Sequence, residues 1–241
     1  MSNSNTAWLC QYSVTSLFNI YGLQADIPEY VDAVSFYENN QKMTHHQLSD
    51  IEEKRFKEEL NRNISFINKW FASEYIADKN MPTRVYREPN EVLPKPDEVA
   101  FKIINGYLVV NQQCYEVMSQ FRLGDTHFSE IEIIDMQTNK TATNTPYYFI
   151  NIAETRTFLD IEKSDGLDGN PYAPNDKRRY IDDPKDNDIK LECTAKDCDV
   201  DIWHDPILVR SLFLSDALVQ ALFDAGITSE DLALVRCTIQ S

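Results

Sequence analysis

The chain has 241 residues, 42% of them hydrophobic and 11% aromatic, which is enough apolar bulk for a packed core and too much for a chain disordered throughout. Asp and Glu number 39 against 23 Lys and Arg, a formal net charge of −16. A surface of that sign repels nucleic-acid phosphate and anionic bilayers, so neither is expected as a partner, whereas basic proteins are drawn to it; the plain alternative is that the charge serves solubility.

No run approaches the ~20 apolar residues that cross a bilayer. Met1–Thr6 lacks Lys and Arg, and Ala7–Tyr21 is interrupted by Gln11, Ser13, Thr15, Ser16 and Asn19, so the beginning of the chain does not read as a signal peptide. Cys10, Cys114, Cys193, Cys198 and Cys237 form an odd, scattered set, which predicts reduced thiols and a cytoplasmic protein.

Residues 1–95 read as a mostly helical N-terminal region. No Gly or Pro falls between His45 and Lys79, and Leu48, Ile51, Phe56, Leu60, Ile64, Ile67, Phe71 and Tyr75 recur at spacings near three and four. That period predicts one long helix, or two with a joint at Asn61–Asn63. Pro82, Pro89, Pro94 and Pro96 then mark an extended connection.

Residues 96–241 read as an α+β domain. Ile103–Val110 is a predicted strand, Asn111 a helix cap, and Cys114, Val117, Met118 and Phe121 one helical face. Gly124 suits the turn after that helix, and Phe128–Ile134 alternates like a half-buried strand. The pattern recurs in Ile207–Leu214, the cap Ser215, the face Leu218, Ala221, Leu222 and Ala225, then Gly226 and a strand at Leu232–Ile239. The fold class expected is α+β, a mixed sheet built from two similar strand–helix–strand units beside a helical N-terminal region. Tyr147–Ile152 between the copies is strongly β-prone. The stretch from about 158 to 205 reads as a long polar insertion, with 14 acidic and 7 basic residues.

Few motifs suggest chemistry. Cys193 and Cys198 with His204 supply one loose pair of zinc ligands where a structural site needs four. Asp197, Asp199 and Asp201 open like a calcium loop, but Ile202 and Leu208 stand where such a loop needs Gly and a bidentate Glu. His45 and His46 are neighbours that point about 100° apart on a helix and do not share one ion readily. No nucleophile elbow, phosphate loop or zincin motif is present. Neither a catalytic residue, nor a metal, nor a cofactor is therefore expected.

From Phe101 onward the chain resembles the immunity protein 11 family of bacterial toxin-immunity proteins. The residues that carry the resemblance are Leu108–Asn111 leading into the helix of Val117 and Phe121, the run Tyr147–Asn151, and Phe213–Leu218 through Gly226–Thr228. The resemblance implies a protein that binds and blocks a cognate toxin encoded nearby, and it carries no catalytic motif. On that reading the expected partner contacts are Asp182, Asp183, Asp186, Asp188, Asp197, Asp199 and Asp201, with Tyr172, Tyr180 and Trp203 as aromatic anchors. The alternatives are a stand-alone hydrolase using dispersed carboxylates and a regulatory or scaffold module.

Overall fold

A computed structural model describes residues 5–12, 18–45, 47–169, 176–209 and 211–241. In chain order the elements are β1 (Thr6–Cys10), β2 (Leu23–Asp26), α1 (Ala33–Thr44), α2 (Asp50–Phe71), β3 (Arg84–Arg87), β4 (Ala100–Lys102), β5 (Leu108–Asn111), α3 (Gln112–Met118) and β6 (His127–Asp135). They continue with β7 (Lys140–Thr141), β8 (Tyr147–Asn151), β9 (Leu167–Gly169), β10 (Arg179–Ile181), β11 (Lys190–Leu191), β12 (Ile202–Trp203), β13 (Leu212–Ser215), α4 (Asp216–Asp224) and β14 (Leu234–Ile239). The class is α+β with mixed sheets, as the patterning predicts. No helix among the described residues is long and apolar enough to cross a membrane.

The chain forms two compact units that interleave in sequence, which differs from a division at residue 95. Unit 1 comprises Met1–Asn19, Gln112–His127 and Ile152–Ser241, and unit 2 comprises Ile20–Asn111 and Phe128–Asn151. The first 95 residues are also less helical than expected, because β1, β2 and β3 lie among them.

Unit 2 holds the seven-stranded sheet, in the order β2-β3-β6-β8-β5-β4 with β7 paired to β6. Its β3–β6 pair is parallel, while β2–β3, β4–β5 and β5–β8 are antiparallel. The stretch predicted as one strand from Ile103 is broken: Asn105 (φ 71°) and Gly106 (φ 81°) adopt left-handed backbone and turn β4 back onto β5. Such a turn favours Asn-Gly, whose side chains tolerate that region. The core of unit 2 gathers Phe66 and Trp70 of α2 with Phe101, Tyr107, Tyr147 and Phe149 of the sheet. Most of its rings meet edge-on, Trp70 and Phe149 at 4.6 Å between centroids, while Tyr107 and Phe149 are tilted at 52°.

Helix α2 is continuous through Asn61–Asn63. A capping box fixes its start: Glu52 accepts the Ser49 N–H at 2.9 Å and the Ser49 hydroxyl at 2.6 Å. Its buried line is Phe56, Glu59, Asn63, Phe66 and Trp70, whereas Ile51 and Ile64 are 68% and 44% exposed. The apolar stripe read from the sequence is therefore rotated from the face that packs.

Unit 1 holds the five-stranded sheet, in the order β11-β14-β1-β13-β12. β1 is its central strand, antiparallel to β13 and β14, and β11 joins β14 in parallel. The two strand–helix–strand units exist as β5–α3–β6 and β13–α4–β14, but β5 and β6 belong to the seven-stranded sheet while β13 and β14 belong to the five-stranded one. They do not lie side by side in a single sheet. Their helices do meet, with Gln113 Nε2 donating to the Ala225 carbonyl at 2.5 Å. Ser215 caps α4 by accepting the Leu218 N–H at 3.2 Å, and Gly226 (φ 87°) follows its end.

Cys114 and Met118 on α3 and Leu218 and Leu222 on α4 are buried, as the spacing predicts. Truncating Leu222 to Ala is expected to cost about 2–5 kcal/mol, because its side chain is fully buried and the helix cannot collapse onto the void. The midpoint of urea unfolding measures this, with the exposed Gln220→Ala as control. A loss under about 0.5 kcal/mol would contradict the packing.

Candidate functional site

The segment from 158 to 205 is built into unit 1, which differs from an insertion looping off the fold. Leu159, Ile189, Leu191, Val200, Ile202 and Trp203 within it are buried. Buried Asp205 staples it, accepting the Phe158 and Leu159 N–H groups on Oδ2 at 2.8 and 2.9 Å and the Ile207 N–H on Oδ1 at 2.9 Å. One carboxylate thus satisfies three backbone donors, so neither it nor those N–H groups are left unpaired inside.

The expected contact residues divide into three groups. Tyr172 lies outside the described residues. Tyr180 on β10, opposite Asp168 of β9, is 37% exposed. Asp182, Asp183 and Asp186 are exposed in the turn that follows. Three carboxylates of this turn shape it: Asp183 pairs with Lys185 at 2.5 Å, Asp186 accepts the Arg236 N–H at 2.8 Å, and Asp188 accepts the Lys185 N–H at 2.7 Å.

The third group surrounds a cleft of about 360 Å³ in unit 1. Asp197, Asp199, Asp201 and Trp203 all line it, together with Arg122, Lys196 and the Ser215–Ala217 start of α4. Two of these do not fit the role expected of them. Asp201 is only 4% exposed, and Trp203 is 1% exposed. Trp203 stacks on Phe213 at 5.6 Å between centroids and 14° between planes, so it is core rather than a surface anchor. Successive strand side chains point to opposite faces, and both residues of β12, Ile202 and Trp203, are buried, so the strand is covered on both faces and neither side chain is left to face water.

Asp201 forms a knot. Its carboxylate accepts the Arg122 backbone N–H at 3.0 Å and the guanidinium through Nε at 3.0 Å and Nη2 at 2.9 Å. Its own N–H donates to the Arg122 carbonyl and its carbonyl accepts the Ser215 N–H. Burial pushes the Asp201 carboxyl up, but the bonds from Arg122 and Ser215 outweigh it and hold the group below its ordinary value. Nearby, Arg156 bridges Glu154 at 2.7 Å and Asp199 at 2.8 Å, and that contact likewise keeps the Asp199 carboxyl low. Arg122 lies 79 residues from Asp201 and Arg156 lies 43 from Asp199, and nothing in their local patterns marks them as partners.

The residues weighed for chemistry are occupied otherwise. His204, Asp205 and Ser211 are close, but through the backbone: His204 Nδ1 meets the Ser211 carbonyl, and Ser211 Oγ bonds to the Asp205 main chain. Burial pushes His204 down to about 4, so its imidazole is neutral at pH 7. Cys10, Cys114 and Cys237 are buried, and burial raises all three thiols, Cys10 to about 12, which disfavours the thiolate. Cys193 is exposed and Cys198 half-buried. Among the described residues no three His, Cys, Asp or Glu side chains are placed to share a metal ion. No family model matches the chain, and no curated protein matches it.

Proposed function

We propose that the chain is a cytoplasmic immunity-type protein that binds a basic toxin domain of a bacterial effector and blocks it by covering its working surface. The observation that carries this reading is the acidic segment: exposed carboxylates fixed on a packed framework by backbone bonds and ion pairs, in a chain of net charge −16. Like charges held together repel one another, and a basic partner relieves that repulsion. The resemblance of the region from Phe101 onward to toxin-immunity proteins supports the same role. Blockade by coverage needs no catalytic group of its own.

The test begins with capture of a toxin domain encoded beside this gene by the full chain. Association rates of the pair are then measured against ionic strength. Replacing Asp182, Asp186, Asp197 and Asp199 with Asn is expected to slow association about tenfold at low salt and to flatten its salt dependence, because exposed charges act mainly on encounter. Asn keeps an oxygen for the Arg236 N–H at 186 and for Arg156 at 199, so thermal stability should fall by no more than the small contribution of an exposed ion pair. Identical rates and slopes would place the interface elsewhere, and failure to capture any such toxin would remove the reading.

A further inference from the structure

The cleft in unit 1 differs from the rest of the acidic surface because it is concave and its charges are unequally committed. Its floor is aliphatic, formed by the buried Ala7, Ala195, Val200 and Ile239, with the exposed Ala217 on its rim. Four carboxylates line it against two cations. Asp201 and Arg122 neutralise each other through two side-chain hydrogen bonds. Asp199 bonds Arg156 through Oδ1 on a side chain that is 76% exposed, and among the described residues its Oδ2 makes no hydrogen bond. Asp216 accepts the Trp8 indole N–H and the Gln220 amide through Oδ1, and among the described residues its Oδ2 accepts none. Asp197 and Lys196 are exposed and carry no ion pair among the described residues. Subtracting the paired groups leaves acceptors in excess: Asp197, one oxygen of Asp199 and one of Asp216, against the single ammonium of Lys196.

We propose that this cleft, between the Cys193–Asp197 turn and the start of α4, is a socket for one arginine side chain of a protein partner. The proposal rests on the partner-binding reading above and names the group that the partner inserts. An arginine matches the site in both of its parts. Its methylene stem covers the aliphatic floor, and its planar head brings five N–H donors to acceptors spread around the rim. A lysine offers three donors from one point and is more strongly hydrated, so it satisfies dispersed acceptors less well. At about 360 Å³ the cleft lies near the lower end of the ~300–1,000 Å³ range of small-ligand sites, a fit for one long side chain. The Arg122–Asp201 and Arg156–Asp199 pairs hold the rim in place before the partner arrives, which lowers the ordering cost of binding.

The test uses three tripeptides in place of the partner, acetyl-Gly-Arg-Gly-amide and its citrulline and glutamate counterparts, titrated into the full ¹⁵N-labelled chain. Citrulline has nearly the shape of arginine without its charge. Saturable shifts of the Lys196–Asp199 and Ser215–Ala217 amides are expected with the arginine peptide, and markedly weaker ones with citrulline. Asp197→Asn is expected to weaken binding about two- to fivefold, the range of an exposed ion pair. Ala217→Trp, at an exposed position on the rim, is expected to fill the cleft and abolish the shifts. Equal response to citrulline, preference for the glutamate peptide, or shifts confined to other residues would overturn the socket. Because no toxin enters the measurement, these outcomes are separate from toxin capture: a captured toxin whose affinity ignores Asp197→Asn removes the socket alone.

Discussion

Deleting Thr6–Cys10 is expected to unfold unit 1 and leave unit 2 folded. β1 is the central strand of the five-stranded sheet, with ladder partners on both edges, Ala7–Cys10 against Leu212–Ser215 and Thr6–Cys10 against Leu234–Thr238. Ala7, Trp8, Leu9 and Cys10 are all buried. Trp8 alone meets Phe223 edge-on at 5.5 Å, lies under the Arg236 guanidinium at 5.2 Å and donates to Asp216 at 2.9 Å. A large buried side chain contributes about 1.5–3 kcal/mol and each net hydrogen bond about 0.5–1.5 kcal/mol, so the strand's total is comparable to the ~5–15 kcal/mol that keeps a domain folded. Hydrogen exchange provides the readout. Protection at Leu212–Ser215 and Leu234–Ile239 should disappear, while Val109 and Phe149, whose sheet contains no part of β1, should keep theirs. Persistent protection in β13 and β14 would show that the sheet closes without its central strand.

That strand was illegible for a physical reason. A strand covered on both faces reads as a short apolar run without alternation, and Ala7–Cys10 is four residues long. Its partners lie some two hundred residues away, at separations where local pattern says nothing. The acidic segment hid its structure similarly: β11 and β12 contribute two residues each, too few for any period, and Ile189 and Val200 stand singly among charged neighbours. What was legible were elements whose signals are local. Ser215 and Gly226 bracket α4, Ile131 and Ile133 alternate against Glu130 and Glu132 in β6, and Tyr147–Asn151 is a fully buried strand.

Local signals also mark one turn that differs from the expected strand and one helix start, whereas the face of α2 carries no such signal. Asn105-Gly106 between apolar runs is a hairpin signal, and it turns β4 onto β5 where one strand is predicted. Asp32 followed by a turn of helix-compatible residues marks α1, where its carboxylate accepts the Ser35 N–H at 2.8 Å. The register of α2 is different. Its packed face runs through Glu59 and Asn63, and a stripe drawn through the apolar residues must pass beside them. For the cleft, Asp197, Asp199 and Asp201 were legible as a cluster, but which of them is spent internally depends on Arg122 and Arg156, arriving from other parts of unit 1.

Trp203 decides between composition and packing as guides to the interface. An aromatic beside seven aspartates invites the role of a contact anchor, and truncating such an anchor to Ala weakens binding while leaving stability alone. The structure makes the opposite prediction. Trp203 is enclosed between Phe213, stacked on it, and Phe158, edge-on at 6.0 Å, so Trp203→Ala is expected to destabilise unit 1 by about 3–5 kcal/mol. The Trp203 indole N–H is also buried with no acceptor among the described residues, an arrangement that costs about 1–3 kcal/mol. Trp203→Phe removes that donor while keeping a ring against Phe213, so the relief offsets much of the lost volume and the variant should lie well under half the Ala penalty. Urea unfolding followed by circular dichroism gives both values without depending on the tryptophan signal. Partner binding by Trp203→Phe should match the wild type. An Ala variant of unchanged stability with weakened binding would return Trp203 to the surface, and a Phe variant as damaged as Ala would mean that the indole's volume, rather than its unsatisfied N–H, governs this part of the core.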